Sequence, residues 1–314
     1  MLSVTSLTKR FGEVQALDRA TFSVPKGEVF GFLGANGAGK TTTMRIILGL
    51  LRPDSGTVEW DGRPAADWPR RTWGYMPEER GLYLRMPVLE QLAFFASLYG
   101  VPRRKASEDA AAWLARFRIS DYASRKAETL SKGNQQKVQY IATVLHDPDV
   151  LLMDEPFAAL DPVNAALLKS AFLEMRAQGR TIIFSTHQLE QAEELCDSVA
   201  IIDRGRIIAA GKTRDVKRSV GHQVVRLATT GDGDGHWLAD LPDVTVIRDG
   251  PEFTELRVAP DYDPEAVLHA ALERREKVLR FEVADPSLED VFVELVGASA
   301  LDVSETQLAP AINR

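Results

Sequence analysis

The sequence predicts an α/β fold, a mostly parallel sheet flanked by helices, followed by a small α+β domain. Three observations carry that expectation. Short apolar runs, VFGFL, VLLMD and TIIFST, alternate with stretches of helical periodicity, the pattern of strands joined through crossover helices. A glycine-rich turn follows the first run directly and leads into a helix, forming a strand–loop–helix unit. After about residue 215 the pattern shifts to short strand-like runs with two helical segments.

Taken in order, LSVTSLTKRFGEVQALDRATFSV alternates apolar and polar residues, which predicts antiparallel strands with a turn at Gly12–Glu13. In GEVFGFLGANGAGKTTTMRIILGLL, Val29 to Leu33 predicts a strand, and Met44 to Leu51 a buried helix interrupted by Arg45 and Gly49. Residues 87–145 predict mostly helix, since VLEQLAFFASLYG and ASEDAAAWLARFRI repeat near 3.6. VLLMDEP and TIIFSTH predict buried strands, and SVAIIDRGRIIAAG a closing hairpin. Beyond these, HQVVRLA, VTVIR, FTELRV and VLRFEV predict strands, while PEAVLHAALERREK and PSLEDVFVELVG predict helices. The expected organisation is a first domain at 1–215, an α+β accessory domain at 216–300 and a flexible tail at 301–314.

Composition narrows the function. Of 314 residues, 45% are apolar and 26% charged, enough to build a sizeable core. The net charge of −7 disfavours a nucleic-acid partner, which would call for a basic excess. Cys196 is the single cysteine, so no intrachain disulfide can form, which fits a reducing compartment. The N-terminal MLSVTSLTKRFG lacks the apolar core of a signal peptide. No apolar run approaches the roughly 20 residues that cross a bilayer. Action at a membrane would therefore need another chain. Gly231-Asp-Gly-Asp-Gly235 alternates like a calcium loop but lacks the downstream glutamate of an EF-hand, so it reads as a solvated turn.

The strongest motif is Gly34-Ala35-Asn36-Gly37-Ala38-Gly39-Lys40-Thr41, which fits G-x-x-x-x-G-K-[ST] at every required position and continues into Thr42. Glycines let successive backbone N–H groups turn inward onto phosphate oxygens, and the following helix aims its positive end at the same place. Lys40 would neutralise the β- and γ-phosphates, and the Thr41 hydroxyl would face Mg²⁺. Downstream, VLLMDEP delivers Asp154 and Glu155 at a strand end. Asp154 is placed to hold Mg²⁺, and Glu155 to polarise the attacking water as general base. Together these motifs imply ATP and Mg²⁺ as ligands.

The segment Leu130-Ser131-Lys132-Gly133-Asn134-Gln135-Gln136 resembles the L-S-G-G-Q signature of ABC ATPases. It precedes the Asp-Glu pair at about the spacing of that family, and residues 1–215 follow the family's motif order. The resemblance implies a nucleotide-binding domain of this type, with a RecA-like core, an antiparallel β subdomain and a helical subdomain. It further implies that Phe11 stacks on adenine, although a lone phenylalanine often serves only packing. Ala159-Leu160-Asp161 is similar to the loop that crosses the dimer interface, and His187 to the switch histidine that contacts the γ-phosphate.

Two departures stand out: Lys132 and Asn134 replace the commoner Gly and Gln, and Glu78 occupies the loop position where the family has Gln. Ser131 and Gly133 remain, and a hydroxyl and a backbone N–H at a helix start both donate to phosphate. Glu78 can still offer oxygen to Mg²⁺. These variants, with the C-terminal extension, resemble ATPase subunits of ABC-2 type exporters such as sodium- and drug-efflux systems.

The resemblance implies a homodimer or heterodimer of ATPase subunits that binds ATP between the phosphate loop of one and the signature of the other. A separate transmembrane permease subunit would hold the dimer at the cytoplasmic, inner face of the cell membrane and set the substrate. Gly81–Leu98 would carry the closing motion to that permease. The alternatives are a soluble ABC ATPase without transport and a non-enzymatic scaffold. The first is disfavoured by the single phosphate loop and the acidic charge, the second by the presence of Lys40, Asp154, Glu155 and His187 together.

Overall fold

In the computed structural model, which describes residues 1–79, 81–230 and 236–307, the chain divides into two units after Gly211. The sequence pattern places this junction at 215, inside what proves to be a short helix. The first unit runs β1 (Leu2–Phe11), β2 (Val14–Val24), β3 (Val29–Leu33), α1 (Lys40–Ile47), β4 (Ser55–Trp60), β5 (Arg63–Pro64) and β6 (Trp73–Met76). It continues through α2 (Val88–Leu98), α3 (Arg103–Arg116), α4 (Lys132–Val144), β7 (Val150–Asp154), α5 (Pro162–Ala177), β8 (Thr181–Thr186), α6 (Leu189–Leu195), β9 (Ser198–Asp203) and β10 (Arg206–Lys212).

Six strands form the central sheet in the order β10-β9-β3-β8-β7-β6, with β6, β7, β8, β3 and β9 mutually parallel. Strands β3, β7 and β8 are buried along their whole length, which is why their sequences are continuous apolar runs rather than alternating ones. An antiparallel sheet, β2-β1-β4-β5, packs its inner face on the same core through Leu2, Val4, Leu17 and Phe22. The β1–β2 turn forms at Gly12, whose φ is +57°.

Helix α1 is shorter than the apolar pattern predicts. Gly49 takes φ +64°, and its N–H donates to the carbonyl of Ile46 while that of Leu50 donates to Arg45, a left-handed closure that ends the helix. Helices α4 and α5 are started by side-chain caps: Ser131 accepts from the N–H of Asn134, and Asp161 from that of Asn164. An aromatic cluster holds α4 down. Tyr140 packs on Phe117 and Phe172 at ring-centre distances of 5.5 and 5.9 Å, and its hydroxyl donates to Met175 Sδ at 3.3 Å.

The second unit starts with α7 (Thr213–Arg218), then β11 (Gln223–Thr229), β12 (Val244–Asp249), β13 (Thr254–Val258), α8 (Glu265–Glu273), β14 (Val278–Ala284) and α9 (Leu288–Gln307). Its antiparallel sheet is ordered β12-β13-β11-β14 and packs Val225, Leu227, Leu256 and Val258 against Val267 and Ala271 of α8. Helix α9 runs through Gln307, past position 301 where the sequence predicts a loose tail. Residues 301–307 contain neither glycine nor proline to stop it. The turn expected at Gly231–Gly235 and the tail at 308–314 lie outside the described residues.

Candidate functional site

The parallel sheet brings the phosphate loop and the acidic strand end side by side. Strand β3 feeds residues 34–39 into α1, and β7, two strands away across β8, ends at Asp154. Gly39 takes φ +112°, and a Cβ there would come within 2.6 Å of the Ala16 carbonyl. Only glycine fits that backbone. No side chain caps the start of α1. Its first N–H groups thus face the cavity with the positive end of the helix dipole.

That cavity, of about 350 Å³, is lined by Val14, Gln15, Ala16, Asn36, Gly37, Gly39, Lys40, Thr41, Thr42, Glu78, Asp154 and Glu155. Nine of these residues, Asn36 to Thr42 except Ala38 together with Glu78, Asp154 and Glu155, are ones the sequence singles out. Gly34 and Ala38 shape the loop from behind. A Cβ on Gly34 would collide with the Ile202 carbonyl, and Ala38 is buried. Val14, Gln15 and Ala16 were not legible, because they reach the cavity only through the packing of β2 over the phosphate loop.

Lys40 is 6% exposed and its Nζ donates to the carbonyls of Gly34 at 2.7 Å and Ala35 at 3.1 Å. Burial holds its pKa below the ordinary lysine range, partly offset by the nearby carboxylates of Glu155, Asp154 and Glu78. Its Nζ lies 3.8 Å from Glu155 Oε1. The ammonium is therefore folded back onto its own loop and available to exchange carbonyl partners for phosphate oxygens.

Asp154 and Glu155 are both buried. The Ser185 hydroxyl donates to Asp154 Oδ1 and itself accepts from the Glu155 N–H at 3.1 Å. Asp154 Oδ2 is buried without a hydrogen-bond partner, a costly state for an acceptor. A cation would satisfy it. Thr41 and Glu78 line the same cavity, so the donors are all oxygen and suit Mg²⁺. Among the described residues no group of three or more His, Cys, Asp or Glu side chains could hold a metal alone.

Glu155 adopts φ +50°, and its Oε1 accepts a hydrogen bond from His187 Nδ1 at 2.9 Å. His187 is 50% exposed and lies outside the cavity lining, so it reaches the site through Glu155. Phe11 is 49% exposed at the end of β1 and also outside the lining; its register partner Val14 lines the cavity instead. A surface ring at this position is free to stack on a base, and Lys9 Nζ sits 5.6 Å from its centre.

Ser131, Gly133 and Asp161 do not line the cavity. They cluster on another surface, where a Cβ on Gly133 would come within 3.1 Å of the Ala159 carbonyl. Ser131, Lys132 and Asp161 are exposed there. Hydrogen bonds to Asn164 hold the Asp161 carboxyl below its usual pKa, so it stays ionised. The chain thus presents the Lys40 loop and its cavity in one place and a separate helix tip in another.

Residues 17–158 match the family described as ABC transporter, and residues 211–296 the one described as ATP-binding protein DrrA1-3-like, C-terminal domain. The chain is 42% identical over 298 residues to the uncharacterized ABC transporter ATP-binding protein YhaQ of Bacillus subtilis, spanning 95% of this chain and 99% of that one. It is 35% identical over 303 residues to a fluoroquinolones export ATP-binding protein of Mycobacterium tuberculosis, spanning 95% and 93%. A solved ATP binding subunit of an ABC transporter superposes with a TM-score of 0.65 at 35% identity, covering 70% of this chain and 93% of that one.

Proposed function

Because the chain belongs to the ATP-binding subunits of ABC transporters, we propose that it powers export through a separate transmembrane permease by ATP-dependent closure of a dimer. As a member it is an ATPase. Export is favoured by the relative named for it, which is similar along nearly the whole chain, extension included. The non-transport alternative has no such support. No helix among the described residues is long and apolar enough to cross a membrane, so a permease would have to hold the chain at the inner face of the cell membrane.

One observation carries the dimer. The cavity gathers Lys40, Thr41, Glu78, Asp154 and Glu155, yet Ser131 and Asp161 of the same chain are exposed elsewhere, with Gly133 half-buried beside them. A second subunit, turned head to tail, would supply them, and two equivalent sites would form. Backbone N–H groups of the loop and Lys40 would bind the β- and γ-phosphates, with Phe11 against the base. Thr41, Asp154 and Glu78 would hold Mg²⁺, which when bound neutralises phosphate charge. Glu155 would take a proton from the attacking water, while His187 fixes the carboxylate. The opposing Ser131 and Gly133 would donate to the γ-phosphate, so ATP joins the halves and hydrolysis releases them.

The exposed side chains of Tyr83, Leu84, Phe94 and Leu98 form an apolar surface in the segment after Glu78, suited to a permease contact. Whether the dimer pairs two copies or two relatives does not alter this chemistry. The test is turnover per subunit against subunit concentration. It should rise steeply as the dimer forms; constant turnover down to concentrations where the chain sediments as a monomer would refute the reading.

A further inference from the structure

Two glutamines on the inward face of α4 connect the separate parts of this machinery. Gln136 and Gln139 are 6% and 4% exposed, and their three-residue spacing puts them on one side of the helix. Gln136 Nε2 donates to the carbonyls of Glu155 at 3.1 Å and Pro156 at 3.0 Å. Gln139 Nε2 donates to the carbonyls of Pro77 at 2.5 Å and Glu79 at 3.4 Å, the two neighbours of Glu78. A primary amide has two N–H donors, and each glutamine directs its amide nitrogen to one loop.

These contacts fall where the backbone needs them. Glu155 holds φ +50°, a conformation that a non-glycine residue keeps only when its surroundings over-determine it. The Gln136 amide supplies part of that constraint. The helix cannot easily yield, because Tyr140 is fully buried between Phe117 and Phe172. Its first turn is capped by Ser131, and Ser131 and Lys132 are exposed at its tip.

We infer that Gln136 and Gln139 are positioning residues. They tie the loops bearing Glu155 and Glu78 to the helix whose tip presents Ser131 and Gly133. Contact at the tip with an opposing nucleotide is thereby transmitted to both carboxylates of the subunit's own cavity. The inference rests on the roles proposed above for Ser131 and Glu78. The Gln136 arm needs only Glu155.

The test uses the full-length chain. Gln136→Met, which keeps the bulk and removes the donor, should lower kcat by about tenfold or more, the scale expected for misplacing a general base. The Kd for ATP should stay within about twofold of the unsubstituted chain, since the phosphate loop is untouched. Gln136→Glu gives a signature that packing cannot. A carboxylate repels the two carbonyls, whereas a protonated carboxyl donates to one. Its activity relative to the unsubstituted chain should therefore climb as pH falls. Unchanged kcat in Gln136→Met, equal losses in kcat and ATP affinity, or a pH-independent ratio for Gln136→Glu would each overturn the Gln136 role.

For Gln139→Met, the Mg²⁺ concentration needed for half-maximal binding of a fluorescent ATP analogue should rise, and adding Glu78→Ala should produce no further rise. Additive shifts would overturn the Gln139 role. So would a Glu78→Ala chain with unchanged Mg²⁺ dependence, which also removes Glu78 from the metal side and leaves the Gln136 result to stand by itself.

Discussion

Oε1 of Glu155 accepts a hydrogen bond from Nδ1 of His187 at 2.9 Å. A carboxylate can only accept, so the contact fixes the histidine with its proton on Nδ1. One oxygen of Glu155 is thereby oriented, and the other remains for water. Glu155→Gln should bind ATP normally and lose about 10²- to 10⁴-fold in turnover, the range for removing a general base. His187→Ala should also lose turnover without losing ATP affinity. Single-turnover hydrolysis beside equilibrium nucleotide binding separates the two effects, and a Glu155→Gln chain that keeps its turnover would remove the carboxylate from the chemistry.

The burial of Lys40 sets a pH limit on nucleotide binding. The charged ammonium is the form that attracts phosphate. Burial lowers its pKa from the ordinary 10.5, so the proton is lost earlier in the alkaline range than from an exposed lysine. Affinity for ATP should fall as pH rises toward 10.5. The sign for stability is opposite. The cost of burying a charged Lys40 is present in full at neutral pH and is relieved as the group deprotonates, so this residue alone stabilises the nucleotide-free fold on the alkaline side. Lys40→Arg, whose guanidinium does not titrate, should flatten the alkaline fall in affinity. A fluorescent-nucleotide titration between pH 7 and 10 reads both chains, and identical profiles would contradict the assignment.

Glu78 brings a third negative charge to a cavity that already holds Asp154 and Glu155. Glu78→Gln should raise the Mg²⁺ concentration required for half-maximal ATPase activity by several-fold, since a neutral amide oxygen is a weaker ligand for a hard cation. It should also alter the stimulation of ATPase by the permease. If neither changes, Glu78 is a solvated surface carboxylate.

Most of the lining of the Lys40 cavity was legible, because the motifs that supply it fix residues at set spacing along the chain. Gly34, Gly39, Lys40 and Thr41 sit on one turn, and Asp154 and Glu155 on one strand end. The rest depends on packing. Val14, Gln15 and Ala16 reach the cavity because β2 crosses the phosphate loop, and nothing in their identity marks it. Gln136 and Gln139 are glutamines on a helix, a residue type usually solvated, and only the buried carbonyls opposite them reveal their use. Strands β4, β5 and β6 left no clear signal. Trp73–Met76 is four residues with a glycine in it, and its strand character comes from pairing with β7. The second sheet was easier to read, since its strands and helices are separated by turn residues. The extension of α9 beyond 301 was not, because the residues there carry little periodicity although nothing in 301–307 breaks a helix.

The apolar surface after Glu78 should be the permease contact. Tyr83, Phe94 and Leu98 are 53%, 39% and 65% exposed, and exposed apolar patches mark interaction sites. Phe94→Asp should reduce the amount of polytopic protein that copurifies from membranes, with ATP affinity unchanged. Copurification at the original level would move the contact elsewhere.

The central claim is that nucleotide is gripped between the Lys40 loop of one subunit and the Ser131–Gly133 tip of another. Sedimentation of Glu155→Gln with ATP and Mg²⁺ addresses it most directly. The account predicts a stable dimer that reverts to monomer when nucleotide is withdrawn, and that fails to form when Ser131→Arg is added although each chain still binds ATP. A Glu155→Gln chain that stays monomeric while saturated with ATP, or a dimer indifferent to Ser131→Arg, would contradict it.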